Sequence, residues 1–154
     1  MDAEVEAGMR EHLQPGEAVR AAVWVSRADG RTEAGLSRAE LSPFRFRRIR
    51  PDRPGDRRGL HGVPASLAVG LDQHIRTVND PRVLALTGQR LLLLAKRGLF
   101  RRSARELRLH WQSPRTALRT ATDQGNGRLR LDFTDGSAVV LLTPVAGLPA
   151  FLDA

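Results

Sequence analysis

The chain has 154 residues, no cysteine and a formal net charge of +8. That length suits one compact domain whose core needs no covalent staple, and the missing cysteines exclude a disulfide framework, a thiol nucleophile and any Cys-ligated zinc or iron–sulfur site. Arg supplies 24 of the 25 cationic residues and Lys96 the other; the excess reads either as Arg filling solvated positions under a GC-rich coding bias or as attraction toward polyanions such as nucleic acid or anionic lipid.

The N-terminal residues predict a short helix. Asp2 can cap it, Glu4 and Glu6 suit the positive end of its dipole, and Val5, Met9 and Leu13 recur on one face until Pro15-Gly16 stops it. Its acidic start lacks the basic opening and apolar middle of a signal peptide, and no apolar run approaches the roughly 20 residues of a membrane span, so a cytoplasmic protein is expected. Residues 17–27 alternate, with Val19, Ala21, Val23 and Val25 on one face and Arg20 and Trp24 on the other, which predicts a strand. Residues 31–62 are irregular, with a short strand expected near 42–49. Seven Arg, two Pro and a Gly within residues 45–58 predict a mobile surface loop in an Arg/Pro-rich insertion at about 43–62. Residues 64–79 read as a second helix, with Leu67, Leu71, Ile75 and Val78 on one face and Pro64 in the first turn.

From residue 82 the pattern is a meander of six short strands. Residues 82–87 and 90–97 flank the two-residue turn Gly88-Gln89, and their consecutive apolar residues require cover on both faces. Leu107, Leu109 and Trp111 alternate in the next strand, Thr116, Leu118, Thr120 and Thr122 in another, and Leu129, Leu131 and Phe133 in a third. Asp135-Gly136 turns that last strand into residues 137–143. Val145, Leu148, Phe151 and Leu152 form the apolar edge of a short closing helix. Regular strand spacing with tight turns points to a barrel or sandwich in one domain, residues 1–154.

Three stretches carry a family resemblance: Leu13-Gln14-Pro15-Gly16-Glu17, the hairpin Val83–Thr87 with Gly88-Gln89-Arg90 and Leu91–Leu94, and the hairpin Gly127–Ser137. In these the chain resembles bacterial pleckstrin-homology-like domains, over about residues 13–24 and 82–154. The resemblance implies a mainly β fold: a bent barrel of about seven antiparallel strands in two near-orthogonal sheets, with an N-terminal helix, an inserted helix near 64–79 and a short C-terminal helix. Because the C-terminal helix is short and broken by Pro149, the N-terminal helix is expected to share in plugging the barrel. Relatives of this fold bind lipid headgroups, peptides or their own copies, and fold alone does not choose among them.

No catalytic constellation is visible. The four histidines have no metal-ligand spacing, and there is no nucleophile elbow, Walker loop or dinucleotide fingerprint, so neither an enzyme nor a cofactor is expected. Gly125-Asn126-Gly127 reads as a hairpin connection that needs positive φ. Basic residues remain: Arg108, His110, Arg119, Arg128 and Arg130 are expected to point outward from neighbouring strands, and Lys96, Arg97, Arg101, Arg102 and Arg105 crowd one connection, where Leu99 and Phe100 either dip into an interface or fold onto the core. Two readings follow. The first is a non-enzymatic module acting through an unknown protein partner or self-association, with Trp24, Phe100 and Trp111 as interface anchors. The alternative is a peripheral binder of anionic surfaces at the inner face of the membrane, with nucleic acid the lesser option, through Lys96, Arg97, Arg101, Arg102, Arg105, Arg128, Arg130, Arg47 and Arg48.

Overall fold

The apolar periodicities fold into one antiparallel sheet that curls around two short helices. The computed structural model describes residues 3–28, 59–77, 80–96 and 106–154. Helix α1 (Ala3–Met9) runs into a 3₁₀ turn (Arg10–His12) and leads to β1 (Val19–Arg27). Then come β2 (Leu60–His61), α2 (Leu67–Asp72), β3 (Arg82–Thr87), β4 (Arg90–Lys96) and β5 (Leu107–Pro114). A second 3₁₀ turn (Arg115–Ala117) precedes β6 (Leu118–Asp123), β7 (Arg128–Phe133) and β8 (Ala138–Leu142), and a third (Val145–Gly147) leads into α3 (Leu148–Leu152). The order across the sheet is β5-β4-β3-β1-β8-β7-β6, with β2 paired to β8. The six expected strands after Pro81 are all present. The strand expected near 42–49, and most of the insertion around it, lie outside the described residues.

This sheet has two ends. Among the described residues no ladder joins β5 to β6, so the expected barrel is open along that seam. Side chains fill the space instead: α2 lies against β5 and β7, and Trp111 of β5 stands edge-on to Phe133 of β7 at 6.1 Å between ring centres. No helix among the described residues is long and apolar enough to cross a membrane.

The continuous apolar runs of β3 and β4 are explained by cover on both faces. Leu84, Leu86, Leu91 and Leu93 point into the main core with Leu129, Leu131, Phe133, Val139 and Leu141 of β7 and β8. Val83, Ala85, Leu92 and Leu94 point the other way, under Val5 and Met9 of α1. Helix α1 therefore roofs the outside of the sheet, and the expectation that it plugs the interior is corrected. The plug is α3, whose Leu148 and Phe151, three residues apart on one helix face, are buried in the main core beside residues of α2. Val145, expected on that face, is 66% exposed because the chain there is still in the 3₁₀ turn.

Three β-bulges break the expected alternation, each by one extra residue. Arg20 is extra in β1, so Val19 packs under α1 with Ala22 and Trp24, while Ala21, Val23 and Val25 face the main core. His110 is extra in β5, so Leu107 and Leu109 face α1 and Trp111 turns inward. Arg119 is extra in β6, which keeps Leu118 and Ala121 on the core side.

The second helix is much shorter than expected. After Asp72 the bonds tighten, with His74 N–H donating to the Leu71 carbonyl and Ile75 N–H to that of Asp72 (3.0 and 3.1 Å). The chain then extends, and Arg27 N–H donates to the Arg76 carbonyl at 2.8 Å, so a strand-like contact replaces further helix. The N-terminus of α2 is capped from a distance. Leu67 N–H donates to Asp135 Oδ2 (2.8 Å) and Ala68 N–H to Ser137 Oγ (3.0 Å), both on the β7–β8 turn.

Candidate functional site

A buried polar lock orders the region around the candidate site. Gly16, at φ +80°, bends the chain so that Glu17 points inward, where its side chain has no solvent exposure. Its Oε1 accepts from Gln14 N–H at 3.0 Å, and its Oε2 accepts from Thr87 Oγ1–H at 2.8 Å and Arg90 Nε–H at 2.9 Å. Arg90 Nη2 bridges Glu17 Oε1 and the His12 carbonyl, and Nη1 reaches Gln112 Oε1 at 2.7 Å. Thr87 Oγ1 also accepts the turn amides of Gln89 and Arg90 (3.1 and 2.8 Å). The Arg90 guanidinium, foremost, with the Gln14 and Thr87 donors, overcomes burial and lowers the Glu17 carboxyl to about 2. Two of the stretches behind the family resemblance, Leu13–Glu17 and Thr87–Arg90, are thus in direct contact.

Above this lock β1 changes partners. Its residues from Val19 to Val25 pair with β3, but only Ser26 and Arg27 pair with β8. The β8-side edge of β1 before Ser26 therefore has no strand partner among the described residues. A groove follows that edge. Its first part, about 370 Å³, has residues 20–24 as floor, Val5 on one wall, and Pro144, Ala146, Gly147 and Ala150 on the other. Its second part, about 510 Å³, continues past Trp24 over Val25 and Ser26 between Pro81, Gly127 and Pro144. Trp24 and Pro144 line both parts. Exposed Val145 adjoins Pro144 at the rim, and Lys96 Nζ lies 4.9 Å from the centre of the Trp24 ring. The wall comes close at Gly147, where a Cβ would stand 3.1 Å from Val23 Cγ1.

The expected site residues fall in different places. Trp24 is half-buried at the centre of the groove. Trp111, a candidate anchor if exposed, turns inward at the His110 bulge and packs against the core while staying partly exposed. Lys96 lies over Trp24. Arg128 and Arg130 point outward from β7, but the Arg130 guanidinium is occupied by Asp132, at 3.1 Å from Nη2 to Oδ1. Arg108 and His110 sit on β5 and Arg119, Arg128 and Arg130 on β6 and β7, the strands at the two ends of the sheet order. Arg97, Arg101, Arg102, Arg105, Phe100, Arg47 and Arg48 lie outside the described residues.

His12 is tethered, with Nε2 2.7 Å from the Leu107 carbonyl oxygen, and His61 is exposed on β2. His110, expected to project from an outer face, meets His74 with ring centres 5.8 Å apart. Sequence reasoning missed the groove wall at Pro144–Ala150, because it depends on which edge of β1 stays unpaired. The available signal was the helix-poor string Thr143-Pro144 to Gly147 between the last strand and the last apolar pair. Among the described residues no three His, Asp or Glu side chains gather as a metal site. Comparison of the chain with protein-family models, with curated proteins and with solved structures gave no match in any of the three.

Proposed function

We propose that the protein is a non-enzymatic binding module of pleckstrin-homology-like type that docks an extended segment of a partner protein along β1. The observation that carries this reading is the unpaired β8-side edge of β1 lying at the bottom of an apolar groove. An edge of this kind offers main-chain donors and acceptors to an added strand, while flanking pockets select alternate side chains. The unpaired floor from Arg20 to Val25 spans about 17 Å at strand rise, enough for about five residues of ligand. Arg20 in the groove, Lys96 over Trp24 and a net charge of +8 favour a segment that mixes apolar and acidic residues. The type assignment draws on the Leu13–Glu17 to Thr87–Arg90 contact and on a C-terminal helix seated in the core.

The test is selection of a random peptide library on the full chain, followed by affinity measurements on the enriched peptides. Acidic, apolar-alternating peptides are expected, with binding weakened about tenfold or more by Trp24→Ala and by Val145→Asp. Failure of any peptide to enrich, or selected peptides that bind Trp24→Ala as tightly as the parent, overturns the reading. Salt-sensitive sedimentation with anionic vesicles or nucleic acid, with no peptide selected, replaces it by anionic-surface binding through the basic residues.

A further inference from the structure

A second site, away from the groove, is built where the end of α2 meets the edge strand β5. The His74 and His110 rings stand 5.8 Å apart, tilted by 59°. His74 is fixed by the tight turn that ends α2, and His110 is the extra residue of the β5 bulge, which takes it out of the alternation of its strand. Guanidinium groups act on both rings. Arg76 Nη1 donates to the carbonyls of Gln73 and Ile75 (3.1 and 3.2 Å). Arg82 Nε donates to the His74 carbonyl at 3.0 Å and its Nη1 to Asp80 Oδ1 at 3.1 Å. Arg108 is exposed two residues before His110 on β5.

Of the neighbouring carboxylates, Asp80 is engaged with Arg82 and Asp72 lies 4.0 Å from Arg27. Three guanidinium groups, those of Arg76, Arg82 and Arg108, bear on the two rings, with the Asp80 carboxylate held at Arg82. Burial first, then Arg76 and Arg82, lower the proton affinity of His74. Burial first, then Arg82, His74, Arg108 and Arg76, lower that of His110. The result is a cluster of N–H donors in which three guanidinium groups face one neighbouring carboxylate, with Arg76 oriented by main-chain carbonyls and the buried Arg82 by the His74 carbonyl and Asp80.

We propose that His74, His110, Arg76, Arg82 and Arg108 form a binding site for a phosphate-type oxyanion, either free or as the terminal group of a larger molecule. Guanidinium and imidazole N–H groups suit a tetrahedral dianion, which accepts several charge-assisted bonds at once. A bound dianion offsets the local charge excess, so binding raises the proton affinity of both imidazoles.

The experiment is an NMR titration of the two imidazole rings in the full chain with inorganic phosphate, against sodium chloride at equal ionic strength. Saturable shifts at both rings are expected with phosphate alone, together with an upward move of both titration midpoints. Arg108→Gln and His110→Asn, neither a core position, are expected to weaken binding about tenfold or more with unchanged circular dichroism. Phosphatidylcholine vesicles with and without phosphatidic acid separate the sources. Retention on phosphatidic acid that is lost in Arg108→Gln assigns the site to a headgroup, and phosphate saturation without retention assigns it to a soluble ligand. No saturable shift, an equal shift with chloride, or undiminished phosphate binding by both variants overturns the proposal. None of these outcomes bears on peptide binding in the groove.

Discussion

Glu17 keeps its charge with no solvent exposure, so the lock around it ties stability to pH. Its carboxyl stands near 2 when folded against an ordinary value of 4.5. A depressed carboxylate stabilises the fold fully above the ordinary value and loses that contribution as pH falls toward the folded one. Roughly 3 kcal/mol of stability is therefore expected to vanish between about pH 4.5 and pH 2. Urea denaturation across that range checks it, and Glu17→Gln is expected to flatten the acid limb while costing about 3 kcal/mol at neutral pH, because it leaves Arg90 without its counter-charge. An acid limb as steep in the variant as in the parent places the titration elsewhere. Asp135 does a different job: its hydrogen bonds from Ser137 and from the Leu67 amide outweigh burial and lower its carboxyl. Asp135→Ala should cost about 1–2 kcal/mol in chemical denaturation, through the lost cap of α2; a change within error contradicts that capping role.

At the scale of elements, the two-faced cover of β3 and β4 makes a direct prediction. Leu92 and Leu93 are both fully buried but on opposite faces, one under α1 and one in the main core. Each truncation to Ala should cost about 2–5 kcal/mol by thermal or urea unfolding. A near-neutral Leu92→Ala means that α1 does not roof the sheet. The β6–β7 connection gives a paired test. Gly125 and Gly127 both have positive φ, but a Cβ on Gly127 would lie 2.6 Å from the Thr143 carbonyl oxygen, whereas one on Gly125 meets nothing within 4 Å. Gly125→Ala should cost about 1 kcal/mol and Gly127→Ala about 2 kcal/mol or more, read from the same denaturation curves. The apolar runs at 83–86 and 91–94 made the doubly covered strands legible, and Asp135-Gly136 made the last hairpin legible. The bulges were not: a basic residue at Arg20, His110 or Arg119 looks like any outward residue of an alternating strand, and only the register shows that one partner faces two. Residues 67–75 kept helical periodicity because Ile75 is buried, although it reaches the core from a turn and not from a helix; Val78, expected on the same face, lies outside the described residues.

At the scale of the molecule, among the described residues and leaving aside the two-residue β2, the sheet path leaves three edges to manage. The terminal strands β5 and β6 carry bulges at His110 and Arg119, which bend an edge away from foreign strands. The third edge belongs to β1 and is flanked by Pro144–Ala150 without being hydrogen-bonded as a strand, and the whole functional reading rests on it. The groove could not be read from the sequence, because it arises where β1 leaves β3 for β8, a matter of pairing and not of residue type. Amide hydrogen exchange along β1 in the free protein, resolved residue by residue by NMR, measures that edge directly. Alternate amides between Arg20 and Trp24 that face β3 should exchange slowly, and the intervening set that faces the groove should exchange many-fold faster, with protection returning at Ser26 and Arg27. Uniform slow exchange across both sets would mean that the edge is already satisfied in the free fold, and the docking account would fail.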